Sequence, residues 1–239
     1  MFAPVTPVAG EQPFNDWFAP DTTQRHPLGL KIVAVDPYWG QGEFLYIKSA
    51  DAILKGSIVM WDESCNGALL PSTALQGFPF GVAMAPMASG TYGWIQLAGR
   101  AVYKTNATVA ADGVLAIAAA GILGATATGK QVTGIRNRVA ATGTKTADNT
   151  QTTTGSYVLR TAGGYDGFFL GMALSGTGIP ASTVVAKLDP DGRTIYMGSA
   201  IGTVGDKLAT ATGVITLTGT YTGYGSGIIN DPCCMMAVT

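Results

Sequence analysis

Histidine is the side chain most often used as a general base, and the chain has one, His26. A Ser–His or Cys–His catalytic group would have to be built around it, and the G-x-S-x-G pattern of a nucleophile elbow does not occur in the sequence. One imidazole also cannot form the histidine cluster of a transition-metal centre. We therefore expect neither histidine catalysis nor a histidine metal site.

Carboxylates are the next candidates, since paired ones hydrolyse glycosides and clustered ones bind calcium. Four aspartates come into consideration: Asp166, Asp189, Asp191 and Asp206. The stretch Asp189-Pro-Asp-Gly192 lacks the further acidic ligands and the glutamate of a calcium loop. Proline and glycine at these positions are typical of a turn in which the glycine tolerates positive φ. We interpret 189–192 as a hairpin turn.

Residues 124–130 have the spacing of a phosphate-binding loop, G-x-x-x-x-G-K. The next position must offer a hydroxyl group to Mg²⁺, and it holds Gln131. No amphipathic helix pattern follows Lys130, so a glycine-rich hairpin is the better interpretation. We predict no cofactor.

The three cysteines are Cys65, Cys233 and Cys234. Adjacent cysteines rarely bridge each other because the geometry is strained, and the ligand spacing of a zinc site is missing. Free thiols in a reducing compartment are the expectation.

The elements that would hold any site are predicted to be strands. Glycine supplies 33 of the 239 residues, and only 12% of the residues are charged. Each interior glycine costs a helix about 1 kcal/mol relative to alanine, whereas Thr, Val and Ile prefer the pleated surface of a strand. The composition therefore predicts an all-β protein.

Charge and hydropathy bear on the partners. A net charge of -1 argues against binding to the phosphates of a nucleic acid. The longest apolar run is far shorter than the roughly 20 residues of a membrane-spanning helix, and no basic region followed by a hydrophobic one marks the N-terminus. We expect neither a nucleic acid nor a membrane as partner.

Short β-like runs separated by glycine predict a β-barrel domain over residues 41–145. The predicted strands are 44–47, 57–61, 81–84, 92–97 and 99–104. The alanine-rich stretch 109–120 leaves a helix or strands open. Gly113 and Gly121 favour strands, because a helix bounded by them would be too short to be stable alone.

A second domain follows a change in composition. Residues 142–148 are rich in Thr, Lys, Asp and Gly and are predicted to form a polar linker. Residues 146–222 are predicted to form a small, surface-exposed, β-sandwich-like domain, with strands at 156–160, 168–174, 182–188, 194–197 and 214–218. Residues 223–239 end in an apolar run suited to a closing strand. If that strand returns to the first barrel, the second domain is an insertion.

Residues 1–40 are predicted to form an extended N-terminal arm. Six of the 12 prolines fall in the first 37 residues, and proline lowers the entropy lost when a segment is ordered. The gain from burying aromatic side chains nearly cancels the cost of ordering the backbone, so the arm orders only against a surface. That surface is either the arm's own barrel or a partner. The candidate partner-binding residues are Phe14, Trp17, Phe18, Tyr38 and Trp39.

Several glycine-hydrophobic stretches carry a resemblance to a known family. They are ADAILKGSIV at 50–59, FGVA at 80–83, YGWIQLAGRAV at 92–102, VAADGVL at 109–115 and VTGI at 132–135. Together they make residues 43–140 resemble the capsid decoration (cement) proteins of tailed bacteriophages, of the β-tulip kind. Separately, LSGTGIPASTV at 174–184 and the segments after it look like a small β module that recurs in phage tail and surface proteins.

The resemblance implies a non-enzymatic virion protein that is made in the host cytoplasm, binds the outer surface of the assembled capsid and stabilises it. It also implies the major capsid protein as partner and a homotrimer over capsid symmetry axes. The alternative is a head or tail fibre or receptor-binding protein, whose second domain would expose loops around Tyr165, Tyr221 and Tyr224. A polysaccharide depolymerase is disfavoured, because it would need paired carboxylates in a groove.

Overall fold

The protein is described from a computed structural model, which covers residues 3–4, 19–36, 40–73, 78–106, 109–125, 127, 130–165, 167–189 and 191–234. Over these ranges the chain forms strands and turns and no helix, so the predicted all-β fold is confirmed. No helix that could span a membrane is found in the described ranges.

Seventeen strands are formed by the described residues. In chain order they are β1 (Ala3–Pro4), β2 (Lys31–Asp36), β3 (Gly40–Ser49), β4 (Ile58–Trp61), β5 (Asn66–Leu69), β6 (Phe80–Ala83), β7 (Tyr92–Lys104), β8 (Leu115–Ala119), β9 (Ile122–Ala125), β10 (Val132–Asn137), β11 (Thr142–Thr152), β12 (Val158–Thr161), β13 (Ala173–Ser175), β14 (Thr183–Leu188), β15 (Thr194–Gly198), β16 (Gly213–Thr222) and β17 (Tyr224–Cys234).

The strands belong to two compact units. The main unit comprises Phe2–Ala141 and Gly223–Thr239, and the barrel unit comprises Thr142–Thr222. The backbone N–H of Gly223 donates to the carbonyl of Ala141 at 2.8 Å. The chain therefore leaves the main unit and returns to it at neighbouring positions.

The main unit is built on a sheet with the strand order β1-β2-β3-β5-β4-β6-β7-β17-β10. Because β7 also pairs with β3, the strands β3, β5, β4, β6 and β7 close into a ring. Each of the five strands contributes apolar side chains to one cluster, and those of β3 and β7 alternate, as the period of two in a strand requires. The cluster includes Leu45, Ile47, Val59, Leu69, Ala83, Ile95 and Leu97.

A second cluster of the main unit forms where β17 pairs with both β7 and β10. The hairpin β8–β9 packs its apolar residues here, so the stretch 109–120 contains a strand and no helix. Buried members are Phe80, Tyr103, Leu115, Ile117, Leu123, Val132 and Ile229. Strand β17 thus lies between two strands of the main unit, and residues 235–239 of the predicted closing strand lie outside the described residues.

The leading segment (residues 1–36) is fixed to the main unit in its described parts, residues 3–4 and 19–36. Strand β2 pairs with β3 and lies within the predicted arm, so this part of the arm is a regular strand. Ile32 and Ala34, which alternate along β2, are buried with Phe44 of β3. The main unit thus supplies a surface against which this part of the arm is ordered. Leu28 and Leu30 pack on the same cluster.

The barrel unit is a closed barrel with the strand order β11-β12-β15-β14-β13-β16, where a sandwich-like domain was predicted. The predicted linker over 142–148 was wrong, because β11 runs through it and pairs with β16 from Thr142↔Thr222 onwards. β-branched threonines stabilise this strand and leave its polar face in solvent. The strand predicted over 168–174 was also mostly wrong, because Gly167 and Gly171 turn the chain at φ of 80° and 89°.

Candidate functional site

The five predicted partner-binding residues, Phe14, Trp17, Phe18, Tyr38 and Trp39, lie outside the described residues. Their neighbours in the chain are described: Asp21 forms a bridge with Tyr92, and Asp36 and Gly40 form the last pair of β2 with β3. The prediction for these residues therefore stays a prediction.

His26 is buried among aromatic rings of the main unit. Its ring centroid lies 5.0 Å from that of Tyr46 and 5.4 Å from that of Trp94. The Tyr46 hydroxyl donates to the Asp21 carboxylate at 2.8 Å, and burial is the main cause that raises the pKa of this tyrosine. Arg25 forms an ion pair with the same carboxylate at 2.9 Å. These contacts anchor residues 21–30 on β3 and β7.

The aspartates singled out in the sequence serve turns. Gly192 adopts a φ of 72°, and its N–H donates to the Asp189 carbonyl, which confirms the predicted hairpin turn. The Asp206 carboxylate accepts hydrogen bonds from the backbone N–H and the hydroxyl of Ser199. Asp166 lies outside the described residues. No group of three or more His, Cys, Asp or Glu side chains suited to a metal is found within the described ranges.

The tyrosines predicted to mark exposed loops are not exposed. Tyr165 and Tyr221 are only 2% and 8% accessible. The Tyr165 hydroxyl donates to the Asp189 carbonyl, and the Tyr221 ring packs edge-on against Phe169. Tyr224 is half-buried and belongs to β17 of the main unit. Burial of aromatic rings such as those of Tyr165 and Tyr221 stabilises a small barrel.

A cleft on the barrel unit, lined mainly by residues with polar side chains, is the candidate site. It has a volume of about 210 Å³. Its lining residues come from β11, β12, β15 and the turns beside them: Asn149, Gln151, Arg160, Thr161, Ala162, Asp191, Arg193 and Thr194.

Strand register brings three of these side chains onto one face. Arg160 lies opposite Gln151 on one side and opposite Thr194 on the other. Residues directly opposite each other in an antiparallel pair point to the same face. The adjacent Leu159 is fully buried, so Arg160 faces outwards from the barrel.

A β-bulge brings Asn149 to the cleft. The pairing of β11 with β16 shifts register between Ala147 and Thr150, and the Thr150 hydroxyl donates to the Ala147 carbonyl at 3.0 Å. Asn149 has a φ of 55°, which asparagine tolerates better than most side chains. Bulges of this kind redirect side chains and are frequent next to functional sites.

The turn before β15 holds Arg193 by its backbone. The Arg193 N–H donates to the Asp191 carboxylate at 2.8 Å. The Arg193 carbonyl accepts from both the N–H and the hydroxyl of Thr161, at 2.9 and 3.0 Å. The buried Tyr165 adds a third constraint, because its N–H donates to the Gly192 carbonyl at 3.0 Å. The backbone at Arg193 is therefore fixed on both sides of the residue.

The Asp191 carboxylate is engaged by the turn itself. Its oxygens accept from the Arg193 N–H, the Thr194 N–H and the Thr194 hydroxyl. Burial alone would raise the pKa of Asp191, but these hydrogen bonds and the charge of Arg160 outweigh burial and lower the pKa. The carboxylate is ionised at neutral pH, and its acceptor sites are largely occupied.

Sequence reasoning missed the residues of this cleft other than Asp191. One signal was present in the sequence. The charged Arg160 lies in a predicted strand, after the apolar Val158 and Leu159 and before Thr161. Alternation placed its side chain outside the barrel, but it could not reveal the neighbouring strands.

Comparison with known proteins identified no relatives: no family model, no curated protein and no solved structure matches this chain.

Proposed function

We propose that this chain is a non-enzymatic structural protein of a tailed-phage virion, which binds the outer surface of the assembled capsid and stabilises it. The proposed partner is the major capsid protein, and the proposed form is a homotrimer. The proposal starts from the sequence resemblance over residues 43–140 and from the all-β fold.

The observation that supports it best is the anchoring of the leading segment. Ala3 and Pro4 pair with Val35 and Ala34 of β2. Asp21 exchanges two backbone hydrogen bonds of 2.8 Å with Tyr92 of β7. The aromatic residues Phe14, Trp17 and Phe18 come between these two anchors in the sequence.

Anchoring at both ends favours partner binding by reducing its entropic cost. A segment with fixed ends loses fewer conformations when it is ordered than a free arm does. Three copies in a trimer would present three such segments, and linked contacts bind more tightly than single ones. Binding to the assembled shell and not to free subunits would stabilise the shell by mass action.

Two measurements test the proposal. The first is the copy number of this chain relative to the major capsid protein in purified particles of the encoding phage, by quantitative mass spectrometry. Near-equal abundance supports a protein that covers the lattice, and absence from the particles refutes a virion role. Light scattering should give three times the 24.5 kDa of the chain in solution.

The second is binding to shells that lack the protein. Replacing Phe14, Trp17 and Phe18 together by alanine should weaken binding at least tenfold, since each buried aromatic side chain contributes roughly 2 kcal/mol. Tyr157→Ala is the matched control, because this tyrosine of the barrel unit is 38% exposed. Equal loss of binding in both variants, or in neither, would contradict the role given to the leading segment.

The cleft on the barrel unit favours a second candidate, a fibre or vertex protein that recognises a receptor. That function predicts a few copies per particle instead of near-equal abundance. The copy-number measurement therefore separates the two candidates.

A further inference from the structure

We propose that the cleft on the barrel unit binds an acidic sugar, with Arg160 and Arg193 pairing with its carboxylate or phosphate group. This inference concerns the barrel unit and does not depend on the proposed virion role.

The charge of the cleft calls for an anion. Two arginines and one aspartate line it, which leaves a formal charge of +1. The Asp191 oxygens are already engaged by Arg193 N–H, Thr194 N–H and the Thr194 hydroxyl. Within the described part of the chain, neither guanidinium group forms an ion pair with a carboxylate. Neither fork of donors is occupied by a described ion pair, although the charge of Arg160 also acts on Asp191. A guanidinium group binds carboxylate or phosphate through two parallel hydrogen bonds.

The rest of the lining calls for hydroxyl groups on the same ligand. The side-chain amides of Asn149 and Gln151 lie in the cleft and make no described hydrogen bond. An amide offers donors and acceptors together, which suits sugar hydroxyls that do both. Ala162 is the one lining residue without a polar side-chain atom.

The size of the cleft sets the size of the ligand. A volume of about 210 Å³ is below the roughly 300–1,000 Å³ of pockets for drug-sized molecules. One monosaccharide unit is the scale that fits. Its position on the outer face of the barrel lets the unit belong to a longer chain.

The site is built before a ligand arrives. Thr161 and Asp191 hold the backbone at Arg193, and the bulge at 148–149 presents Asn149. Fixed positions reduce the entropy lost on binding, which raises affinity for a small ligand.

The test uses the full chain and titrates it with four probes, followed by NMR chemical shifts. The probes are glucuronic acid, glucose 1-phosphate, glucose and sodium sulfate. We expect saturable shifts confined to residues of the cleft with one or both acidic sugars, and the stronger of the two identifies carboxylate or phosphate as the preferred group. Binding should weaken as salt is added, because the charges are exposed.

Three variants complete the test. Arg160→Gln and Arg193→Gln should each weaken acidic-sugar binding about tenfold, the effect of losing one charge-assisted contact. Arg136→Gln removes an exposed arginine of the main unit and should leave binding unchanged. Matching thermal unfolding curves for the four proteins show that each is folded.

Three results would overturn the inference: glucose binding as tightly as the acidic sugars, sulfate producing the full effect at the same concentration, or unchanged affinity in Arg160→Gln. The first result would show that the anionic group is not recognised, the second that the sugar is not recognised, and the third that the ligand does not bind at the cleft.

Discussion

At the scale of single residues, Asp191 has two tasks, and both favour the ionised form of its carboxylate. Its carboxylate closes the turn before β15 through three hydrogen bonds, and its charge interacts favourably with that of Arg160. Both tasks require the ionised form, which is why the pKa of this group lies below its ordinary value despite the contribution of burial.

The stability of the barrel unit should therefore depend on pH through Asp191. A folded-state pKa below the unfolded value of about 3.9 gives a stabilisation that is present above that pH and lost as pH falls through the folded-state pKa. We expect Asp191→Asn to unfold at lower urea concentration than the natural chain at pH 7. The difference should shrink as the pH is lowered from 5 to 3.

Thr194→Val is the control for this effect, since it keeps the carboxylate and removes the hydroxyl donor at nearly constant volume. Its difference from the natural chain should show a weaker dependence on pH than that of Asp191→Asn. A pH-independent difference for Asp191→Asn would mean that the amide substitution acts through packing and not through charge.

Residue types in the sequence indicated the turn at 189–192 but not the cleft beside it. Proline and glycine set the backbone locally, so Gly192 could be placed at positive φ from its neighbours alone. Gln151 and Arg160 belong to consecutive strands, and Thr194 meets them because β15, much further along the chain, pairs with β12 in this register. Register depends on the whole barrel, and one sequence does not contain it in any local form.

At the scale of elements, β17 lies unusually close to β10. A Cβ atom on Gly227 would lie 1.8 Å from the Arg136 carbonyl oxygen. Since both groups belong to backbones that pair with each other, neither can move without breaking the ladder. Glycine at 227 is what permits this pairing.

Gly227→Ala should separate β10 from β17 and destabilise the main unit by about 1–3 kcal/mol or more, as overpacking does. Hydrogen exchange followed by mass spectrometry should show faster exchange in β10 and little change in the barrel unit. Gly213→Ala is the matched control, because nothing lies within 4 Å of its Cβ position, and its effect should stay within about 0.5 kcal/mol. Equal protection of β10 in both variants would refute the close approach.

Strand prediction succeeded where short apolar runs are bounded by glycine, as in β3, β4, β6 and β7. It failed in β11, whose outward face is so rich in Thr, Lys and Asp that the segment resembles a linker. Pairing with the long β16 keeps this polar strand in place, and that pairing partner is about 70 residues further along the chain.

At the scale of the whole molecule, the barrel unit is inserted at one point in the sequence of the main unit. Ala141 and Gly223 are joined by a backbone hydrogen bond, so removing everything between them leaves ends that a short connection can bridge. We expect a chain in which two glycines replace residues 142–222 to fold and unfold cooperatively.

The check is the two-dimensional NMR spectrum of the shortened chain. Amide signals of β7, β17 and β10 should coincide with those of the full chain, since these strands pair within the main unit. A collapsed or aggregated product would show that the main unit needs the barrel unit in order to fold.

The place of β17 in the sheet also fixes an order of events during synthesis. The ribosome makes β7 and β10 before the barrel unit, and β17 only after it. At roughly 5–20 residues per second, the edges of β7 and β10 that will receive β17 wait several seconds without their partner. Unpaired edges recruit strands from other chains. The nascent main unit is thus most prone to aggregation during the seconds in which the barrel unit is being made.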